Sequence, residues 1–359
     1  MMTSDALGPS VWAASDGRAG NRAQALAVAR ALGEMTRWVK IAHINGKGHR
    51  AEPIDLKING IQPMLPSRMW WSPLSTLPKS QKQIFQPPWP TVWIAAGRRT
   101  SAFSRHIRKA SDGETLTVHI MKPDLELSAF DLVAAPEHDK LEGENVISTL
   151  GSASYFAPEA IEDAELAFGD MAEERGFKVA VNLGGDSKTH KMTEAVAQKL
   201  ERQLDNLATQ GARLRITCSR RTPTHARVRF RNFSERVGAK FWEGPADGQN
   251  PYLANLLMSD AAIVTEDSTN MLSEAAYFGL PLHIVRMEGE HRKFDSFYKS
   301  LIDHGIARWF EGEIFSWTYQ PLREIDKIAD AIVKKLIERH PPPEFATAHG
   351  ARLGDRDRR

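Results

Sequence analysis

Polar residues that could hold a nucleotide are concentrated where a β-branched run meets a helical segment in the second half of the chain. Leu272, Ala275, Ala276 and Gly279 recur at helical spacing, which puts Glu274 off the core face of that helix. A carboxylate there can accept hydrogen bonds from two ribose hydroxyls, and the start of the helix favours phosphate. The alternative is a solvated surface carboxylate. The residues predicted to bind the nucleotide here are Asp267, Ser268, Thr269, Asn270 and Glu274.

Two further loops in the same half follow predicted strands and could bind an anion. Backbone N–H groups, hydroxyls and a lysine in the first loop could cradle phosphate oxygens, and two arginines in the second could neutralise a diphosphate. An ordinary turn and solvated arginines are the respective alternatives. The residues concerned are Gly184, Gly185, Ser187 and Lys188 in the first loop, and Ser219, Arg220 and Arg221 in the second.

In the first half, a glycine-containing motif, Ser15–Asn21, lies between the first predicted strand and the first predicted helix. Ligands of open α/β sheets collect beyond the carboxyl ends of strands, so we predict that Gly17, Arg18 and Asn21 contact a substrate. The alternative is a tight turn with Asn21 as the helix cap. Arg98 and Arg99 follow another strand and could contact an anionic acceptor, or form a basic helix start on the surface.

The elements needed to position these loops are an alternating series of strands and helices. Short β-branched runs alternate with segments of helical period, which is typical of parallel strands covered by helices on both faces. Helices are predicted at Arg22–Leu32 and Pro321–Arg339, and an irregular insertion rich in proline and tryptophan at Ile61–Pro90. Strands are predicted at Val11–Ser15, Trp38–Ile44, Thr91–Ala96, Leu116–Met121, Asp131–Ala135, Val146–Thr149, Lys178–Leu183, Leu214–Cys218, Lys240–Trp242, Ala261–Thr265 and Leu282–Val285.

The length of 359 residues and the change of pattern near residue 152 predict two domains that meet at a cleft. We expect an N-terminal acceptor domain over residues 1–151 and an acidic linker over 152–175. A C-terminal donor domain is expected over 176–320, a final helix over 321–340 and a disordered tail over 341–359. The fold class is therefore α/β, with two Rossmann-like domains.

Composition excludes several classes of protein. Hydrophobic residues make up 42% and charged residues 26%, as in globular proteins, and a net charge of +2 argues against a nucleic-acid partner. Cys218 is the single cysteine, so no disulfide can form within the chain. No signal peptide or long apolar run is evident, and we expect a cytoplasmic protein.

Common catalytic and metal-binding motifs are missing from the sequence. It has no His-Glu-x-x-His and no Gly-x-Ser-x-Gly, and its only Asp-x-Asp, Asp355 to Asp357, lies in the tail. A metal-dependent transferase is therefore disfavoured, and we expect neither a metal site nor a resident cofactor.

Seven motifs in order resemble the elongated-mitochondria type fission factors of plants and their bacterial relatives. The resemblance covers nearly the whole chain and adds Asn250 and Tyr252 to the predicted nucleotide-binding residues. Glu137 and Glu266 stand where the family more often has arginine and alanine. The motifs lie at residues 16–26, 97–100, 136–146, 184–188, 219–223, 250–252 and 265–281.

A shorter resemblance, Ser273-Glu274-Ala275 with Gly279-Leu280-Pro281, is to the donor domain of glycosyltransferase B enzymes, in which this element grips the ribose of a nucleotide sugar. By that analogy the final helix would pack back on the N-terminal domain. The fold implied is the glycosyltransferase B type.

Together these features predict a metal-independent glycosyltransferase that uses a nucleoside-diphosphate sugar, with Asp16 as the base for an acceptor hydroxyl. The acceptor is unidentified, with an anionic or lipid-linked glycan as the candidate class, and peripheral association with a membrane is compatible with this interpretation. The alternative is a non-catalytic adaptor or scaffold that recruits a protein partner, which is what the resemblance to fission factors would imply.

Overall fold

The computed structural model describes residues 11–38, 51–289 and 292–340. The chain divides into two compact units. The first runs to Thr149 and resumes at Glu324, and the second is Leu150–Arg323. Each unit is built on a parallel sheet with accompanying helices, so the predicted pair of Rossmann-like α/β domains is confirmed.

Each sheet has six parallel strands in the described part of the chain. The first contains β1 (Val11–Ser15), β2 (Ala51–Asp55), β3 (Val92–Ala96), β4 (Leu116–Ile120), β5 (Leu132–Pro136) and β6 (Val146–Thr149), in the order β2-β1-β3-β4-β5-β6. The second contains β7 (Lys178–Leu183), β8 (Arg213–Cys218), β9 (Lys240–Trp242), β10 (Ala261–Thr265), β11 (Leu282–Val285) and β12 (Ala307–Trp309), in the order β12-β11-β10-β7-β8-β9.

The helices connect successive strands or cover the sheets. They are α1 (Ala19–Trp38), α2 (Lys79–Lys82), α3 (Ser101–Ala110), α4 (Pro158–Ala167), α5 (Glu194–Thr209), α6 (Thr224–Val237), α7 (Tyr252–Leu257), α8 (Thr269–Tyr277), α9 (Arg292–Asp303) and α10 (Glu324–Arg339). None of these described helices combines the length and apolarity needed to cross a membrane.

The central strands are buried on both faces, which explains their continuous apolar sequence. Every residue of β3 and of β10 is buried, as parallel sheets require when helices cover both sides. Burying these strands and the facing helices provides the hydrophobic stabilisation of each unit, at roughly 25 cal/mol per Å² of apolar surface.

Helix α10 belongs to the first unit, although in the sequence the whole second unit lies between α10 and the rest of the first unit. Its apolar stripe, including Ile328 and Ile332, is buried, and α10 packs against α1. Arg339 donates to Asp131 Oδ1 at 2.6 Å, while Asp131 Oδ2 accepts the N–H of Thr117 at 2.7 Å. The last helix is thus tied to the sheet of the first unit by a charge-assisted hydrogen bond.

The register brings several loops to one edge of each sheet. Ser15 lies opposite Ala96, so the turns that start at Asp16 and Gly97 are neighbours. In the second sheet Leu183 lies opposite Cys218. The loops that carry the predicted site residues therefore begin at the carboxyl edges of the sheets, where open α/β sheets bind ligands.

Most predicted strands agree with the structure within one residue, but two strands were missed and one prediction is wrong in part. Strands β2 and β12 were not predicted. Trp38 closes α1 instead of opening a strand, and residues 39–44 lie outside the described part of the chain, as does the predicted tail at 341–359. Residues 152–175 carry α4 and lie within the second unit.

The predicted irregular insertion, Ile61–Pro90, consists of short 3₁₀ turns and the four-residue α2. Its two adjacent tryptophans have different environments. Trp70 is buried, at 3% exposed, whereas Trp71 is 74% exposed. Trp70 packs edge-on against Phe103 and anchors the insertion to the core of the first unit.

Candidate functional site

The candidate site in the second unit is built on the loops that follow β7, β8 and β10. These strands are neighbours in the sheet, in the order β10-β7-β8, and all run parallel. Their carboxyl ends meet at one edge, so the loops that begin with Gly184, Ser219 and Glu266 emerge side by side. The three predicted nucleotide-binding loops are therefore brought together.

The Asp267 carboxylate links these three loops. It accepts the N–H of Gly185 at 3.0 Å and the hydroxyl of Thr265 at 2.7 Å, and it forms a 2.8 Å ion pair with Arg221. The Asp267 side chain is completely buried, whereas that of Arg221 is 43% exposed. Asp267 was predicted to contact the nucleotide, but its partners in the structure belong to the protein.

The two glycines of the first loop are required by close packing within the protein. A Cβ atom on Gly184 would lie 1.9 Å from Asp267 Oδ1, and one on Gly185 would lie 2.0 Å from the carbonyl oxygen of Arg221. The sequence analysis assigned these glycines to a cradle for phosphate oxygens. In the structure they make room for the carboxylate and the neighbouring backbone.

The backbone N–H groups at residues 184–187 all have partners inside the protein. Gly184 donates to Thr265 Oγ1 at 2.7 Å, Asp186 donates to the Arg221 carbonyl at 3.1 Å, and Ser187 donates to the His190 carbonyl at 2.9 Å. The expectation that free N–H groups here cradle a phosphate is therefore wrong for this conformation. Lys188, which is exposed, is left as the cationic group of the loop.

The loop after β8 is held by hydroxyl groups. Thr222 Oγ1 accepts the Ser219 N–H at 2.9 Å and contacts the carbonyl oxygens of Leu183 and Gly184. Ser219 Oγ accepts the Arg221 N–H at 3.2 Å, so Ser219 shapes this turn. Arg220 is exposed and makes no ion pair with the residues that the structure describes.

Glu274 is the predicted site residue whose environment differs most from that of an ordinary surface carboxylate. Its Oε2 accepts a hydrogen bond from the Tyr252 hydroxyl, which lies at the start of α7. Burial raises the pKa of Glu274 to about 7, although the hydrogen bond from Tyr252 acts to lower it. Among the described residues Tyr252 is its one hydrogen-bond partner, which leaves Oε1 for a ligand.

The start of α8 lies one turn before Glu274. Ser268 caps this helix by accepting the N–H of Met271 at 3.4 Å, so its side chain has a structural role. Asn270 Oδ1 accepts the Ser152 hydroxyl at 2.8 Å. Thr269 is half-buried, and its carbonyl accepts the Ser273 hydroxyl at 2.7 Å. At the start of α7, Asn250 Oδ1 accepts the N–H of Tyr252 at 2.9 Å.

The candidate base in the first unit is largely enclosed. Asp16 Oδ1 accepts the Asn21 side-chain amide at 2.8 Å and the Arg18 N–H at 3.4 Å, and the Asp16 side chain is 4% exposed. Helix α1 begins at Ala19, so Asn21 lies inside the first turn and is not its cap. Gly17 follows with a φ of 80°, in the left-handed region that favours glycine.

Two exposed arginines follow β3. Arg98 and Arg99 form a short 3₁₀ turn between Gly97 and α3. Gly97 has a φ of 98°, and a Cβ atom there would lie 2.4 Å from Asn21 Nδ2. The glycine thus allows the Asp16–Asn21 pair to form, while both arginine side chains remain available to an anionic ligand.

Sequence reasoning did not assign roles to Thr265 and Thr222, whose hydroxyls join the loops of the second unit. Both stand in motifs that were recognised, one at the end of β10 and the other four residues after β8. A threonine at a strand end is a common residue, so only the three-dimensional contacts reveal its function here.

Comparison with known proteins identifies relatives by sequence. A family model described as mitochondrial fission ELM1 matches residues 19–336. The mitochondrial fission protein ELM1 of Arabidopsis thaliana is 28% identical over 286 residues, which is 72% of this chain and 66% of that protein. An uncharacterised protein of Rickettsia prowazekii, RP120, is 26% identical over 90% of this chain and 97% of its own length.

Solved structures with similar folds are much more distant in sequence. MurG of Acinetobacter baumannii has a TM-score of 0.47 and 13% identity, with 91% of each chain covered. UDP-GlcNAc 2-epimerase of Methanocaldococcus jannaschii has a TM-score of 0.45 and 12% identity, with 93% of this chain and 94% of that one covered. At these identities the likeness is one of fold and assigns no function to this chain.

We predict that Gly185→Ala lowers the free energy of unfolding by about 2 to 3 kcal/mol, because the new methyl group would overlap a backbone carbonyl that no side-chain rotation can relieve. Gly169→Ala is the matched control, since its Cβ meets nothing within 4 Å. Urea denaturation followed by circular dichroism measures both. Equal stability of the two variants would show that the loop is not packed as described.

We further predict that Glu274→Gln becomes more stable than the native protein as pH rises. The folded carboxyl has a pKa of about 7 against 4.5 for an ordinary glutamate, so the folded state keeps a proton that the unfolded state has lost. The gain in the free energy of unfolding of the variant over the native protein should be absent below about pH 4.5 and reach about 3 kcal/mol above pH 7. Urea denaturation at several pH values tests this, and a difference independent of pH would contradict it.

Proposed function

The chain belongs to the mitochondrial fission ELM1 family, and we propose that its second unit binds a nucleoside diphosphate as part of a sugar donor. The supporting observation is the pairing of Glu274 with Tyr252, which holds a carboxyl group in a largely dry environment and leaves one oxygen for a ligand. Ribose offers two adjacent hydroxyl donors, which suit such an acceptor.

The phosphates would lie beside the exposed cationic side chains at the carboxyl edge of the same sheet. Lys188 and Arg220 are exposed there, and Arg221 is partly exposed while paired with Asp267. A diphosphate approaching Arg221 would share its guanidinium with Asp267, because arginine has five N–H donors. Asn250 would act by holding Tyr252, and Ser268 to Asn270 by forming the start of α8.

The reaction proposed is transfer of a sugar from this donor to an acceptor hydroxyl without a metal ion. The sugar–phosphate bond breaks, the acceptor oxygen bonds to the sugar carbon, and the nucleoside diphosphate leaves. A base takes the acceptor proton, and Asp16 is our candidate for it. Gly17, Arg18, Arg98 and Arg99 would contact the acceptor, which we expect to be an anionic or lipid-linked glycan.

A non-catalytic adaptor is the alternative function, and one observation favours it. The glycine loop satisfies its own hydrogen bonds, and Asp267 and Arg221 are paired within the protein, so these groups would be needed for stability even without a ligand. In an adaptor that recruits a protein partner, Glu274 would bind no ribose.

We predict that one nucleotide among UDP, GDP, CMP and ADP raises the melting temperature by several degrees. A ligand at about 100 times its dissociation constant stabilises the folded state by about 2.7 kcal/mol. At pH 8, above its pKa of about 7, the Glu274 carboxyl is ionised, so Glu274→Gln should weaken that nucleotide by about 10- to 100-fold, since hydrogen bonds to a charged group contribute about 1.5 to 3 kcal/mol. Calorimetry measures this loss.

The control for that experiment is Glu235→Gln, which removes an exposed carboxylate of α6 that forms no ion pair with the described residues. It should leave nucleotide affinity unchanged. If no nucleotide at millimolar concentration shifts the melting temperature, the donor site does not exist and the adaptor function is favoured.

For the base, we predict that Asp16→Asn lowers sugar transfer by about 10²- to 10⁴-fold and leaves nucleotide affinity intact, because asparagine keeps the shape but accepts no proton. The assay is turnover of the sugar donor whose nucleotide the melting screen identifies. Wild-type turnover with a lowered melting temperature would instead assign Asp16 only to holding Asn21 in place.

A further inference from the structure

One part of the first unit is strongly basic although the whole chain is nearly neutral. Residues 56–111 contain nine lysines and arginines and no aspartate or glutamate. The net charge of the chain is +2, so the other residues together carry 2 − 9 = −7. One of the nine, Arg108, is paired with Asp131 at 3.3 Å, which leaves eight cationic side chains in a segment without acidic residues. A cationic segment of this kind attracts anionic surfaces.

The same segment exposes large apolar side chains. Ile61 is 76% exposed, Met64 85%, Met69 53% and Trp71 74%, all within eleven residues. Single exposed apolar residues are common on protein surfaces, whereas four of them within eleven residues form a candidate interaction surface. We call the segment Ile61–Trp71, with its exposed Arg68, the apolar-basic turn.

The apolar-basic turn is held firmly by hydrogen bonds and by its buried residues. Gln62 Nε2 donates to Ser75 Oγ at 2.7 Å, the Ser67 N–H donates to Asp124 Oδ2 at 2.8 Å, and the Trp70 ring N–H donates to the Leu65 carbonyl at 3.0 Å. Trp70 is buried in the core. The outward side chains are thus presented by anchored turns, and the core does not need them.

We propose that the apolar-basic turn docks on the surface of a bilayer that contains anionic lipids. Trp71 and Met64 would enter the boundary between headgroups and acyl chains, where tryptophan is favoured. Arg68 and the exposed Lys79 would lie near lipid phosphates, with their aliphatic stems along the apolar surface. The apolar-basic turn belongs to the first unit and the proposed nucleotide site to the second, and lipid docking does not depend on the proposed transfer reaction.

Aliphatic and thioether side chains favour a lipid surface over a nucleic acid as the partner. A single-stranded nucleic acid stacks its bases on aromatic rings, whereas three of the four exposed apolar residues here are isoleucine and methionine. Basic residues alone would suit either partner. The combination of basic and aliphatic groups fits headgroup phosphates above acyl chains.

The test is co-sedimentation of the full-length protein with vesicles of phosphatidylglycerol and phosphatidylethanolamine, compared with vesicles of phosphatidylcholine. We expect binding to the anionic vesicles that weakens as salt is raised, because the charges are screened. The double variant Met64→Ser/Trp71→Ser, and separately Arg68→Glu, should each reduce the partition coefficient by at least about fivefold.

Two matched controls lie in the second unit. Leu166→Ser removes an apolar side chain that is as exposed as Met64, at 85%, and Arg202→Glu reverses an exposed charge that forms no ion pair with the described residues. Both should bind vesicles like the native protein. Melting temperatures of all variants should be unchanged, because the substituted side chains are exposed.

Three results would overturn the proposal. They are equal binding to neutral and anionic vesicles, native binding by both turn variants, and no vesicle binding by a protein that binds single-stranded DNA through Arg68. Since no nucleotide or sugar is added, failure here leaves the proposed transferase function untouched, and the reverse also holds.

Discussion

The buried carboxylate of Asp267 is the constraint on which the candidate site depends. An ionised carboxylate in a protein interior costs several kcal/mol unless hydrogen bonds and an opposite charge compensate it. Here the Gly185 N–H, the Thr265 hydroxyl and the Arg221 guanidinium supply that compensation. Because these partners come from different loops, satisfying one charge fixes the relative positions of the loops after β7, β8 and β10.

Because of this network, several residues that resemble phosphate ligands have a structural role. A glycine pair and an arginine beside a strand end are features that suggest phosphate binding. In this protein the glycines instead leave room for the Asp267 carboxylate and the Arg221 backbone, and the arginine neutralises Asp267. Ligand binding is then left to groups outside the network. Glu274, Lys188 and Arg220 are such groups, and among them Glu274 carries the clearest signal, because its carboxyl is desolvated without a compensating cation in the described structure.

The sequence was sufficient to predict the fold, because parallel strands buried on both faces leave a strong signal. Strands such as Val11–Ser15 and Ala261–Thr265 are continuous apolar runs and were found with their correct ends. Strand β2 was missed because its residues, Ala-Glu-Pro-Ile-Asp, have no apolar run or alternation, and β12 because it has three residues. The loops of the site were also located from the sequence, but the partners of their side chains were not. Asp267 and Arg221 are 46 positions apart, and a local sequence pattern cannot predict an ion pair between such distant residues.

In both units a buried carboxylate connects the loop after the first strand to the loop after a neighbouring strand, with the positions of the carboxylate and the glycine exchanged between the units. In the first, the Asp16 carboxylate after β1 accepts the amide of Asn21, and Gly97 after the neighbouring β3 leaves room for that amide. In the second, the Asp267 carboxylate after β10 reaches the loop after the neighbouring β7, where Gly184 leaves room for it. Each carboxylate has almost no solvent exposure, 4% for Asp16 and 0% for Asp267. Asp16 and Asp267 are therefore both links between loops in this protein, and a ligand-binding role requires in addition a carboxylate oxygen that has no partner in the protein. Glu274 meets that requirement in the described structure, whereas Asp16 meets it only if an acceptor hydroxyl can reach an oxygen beside Asn21.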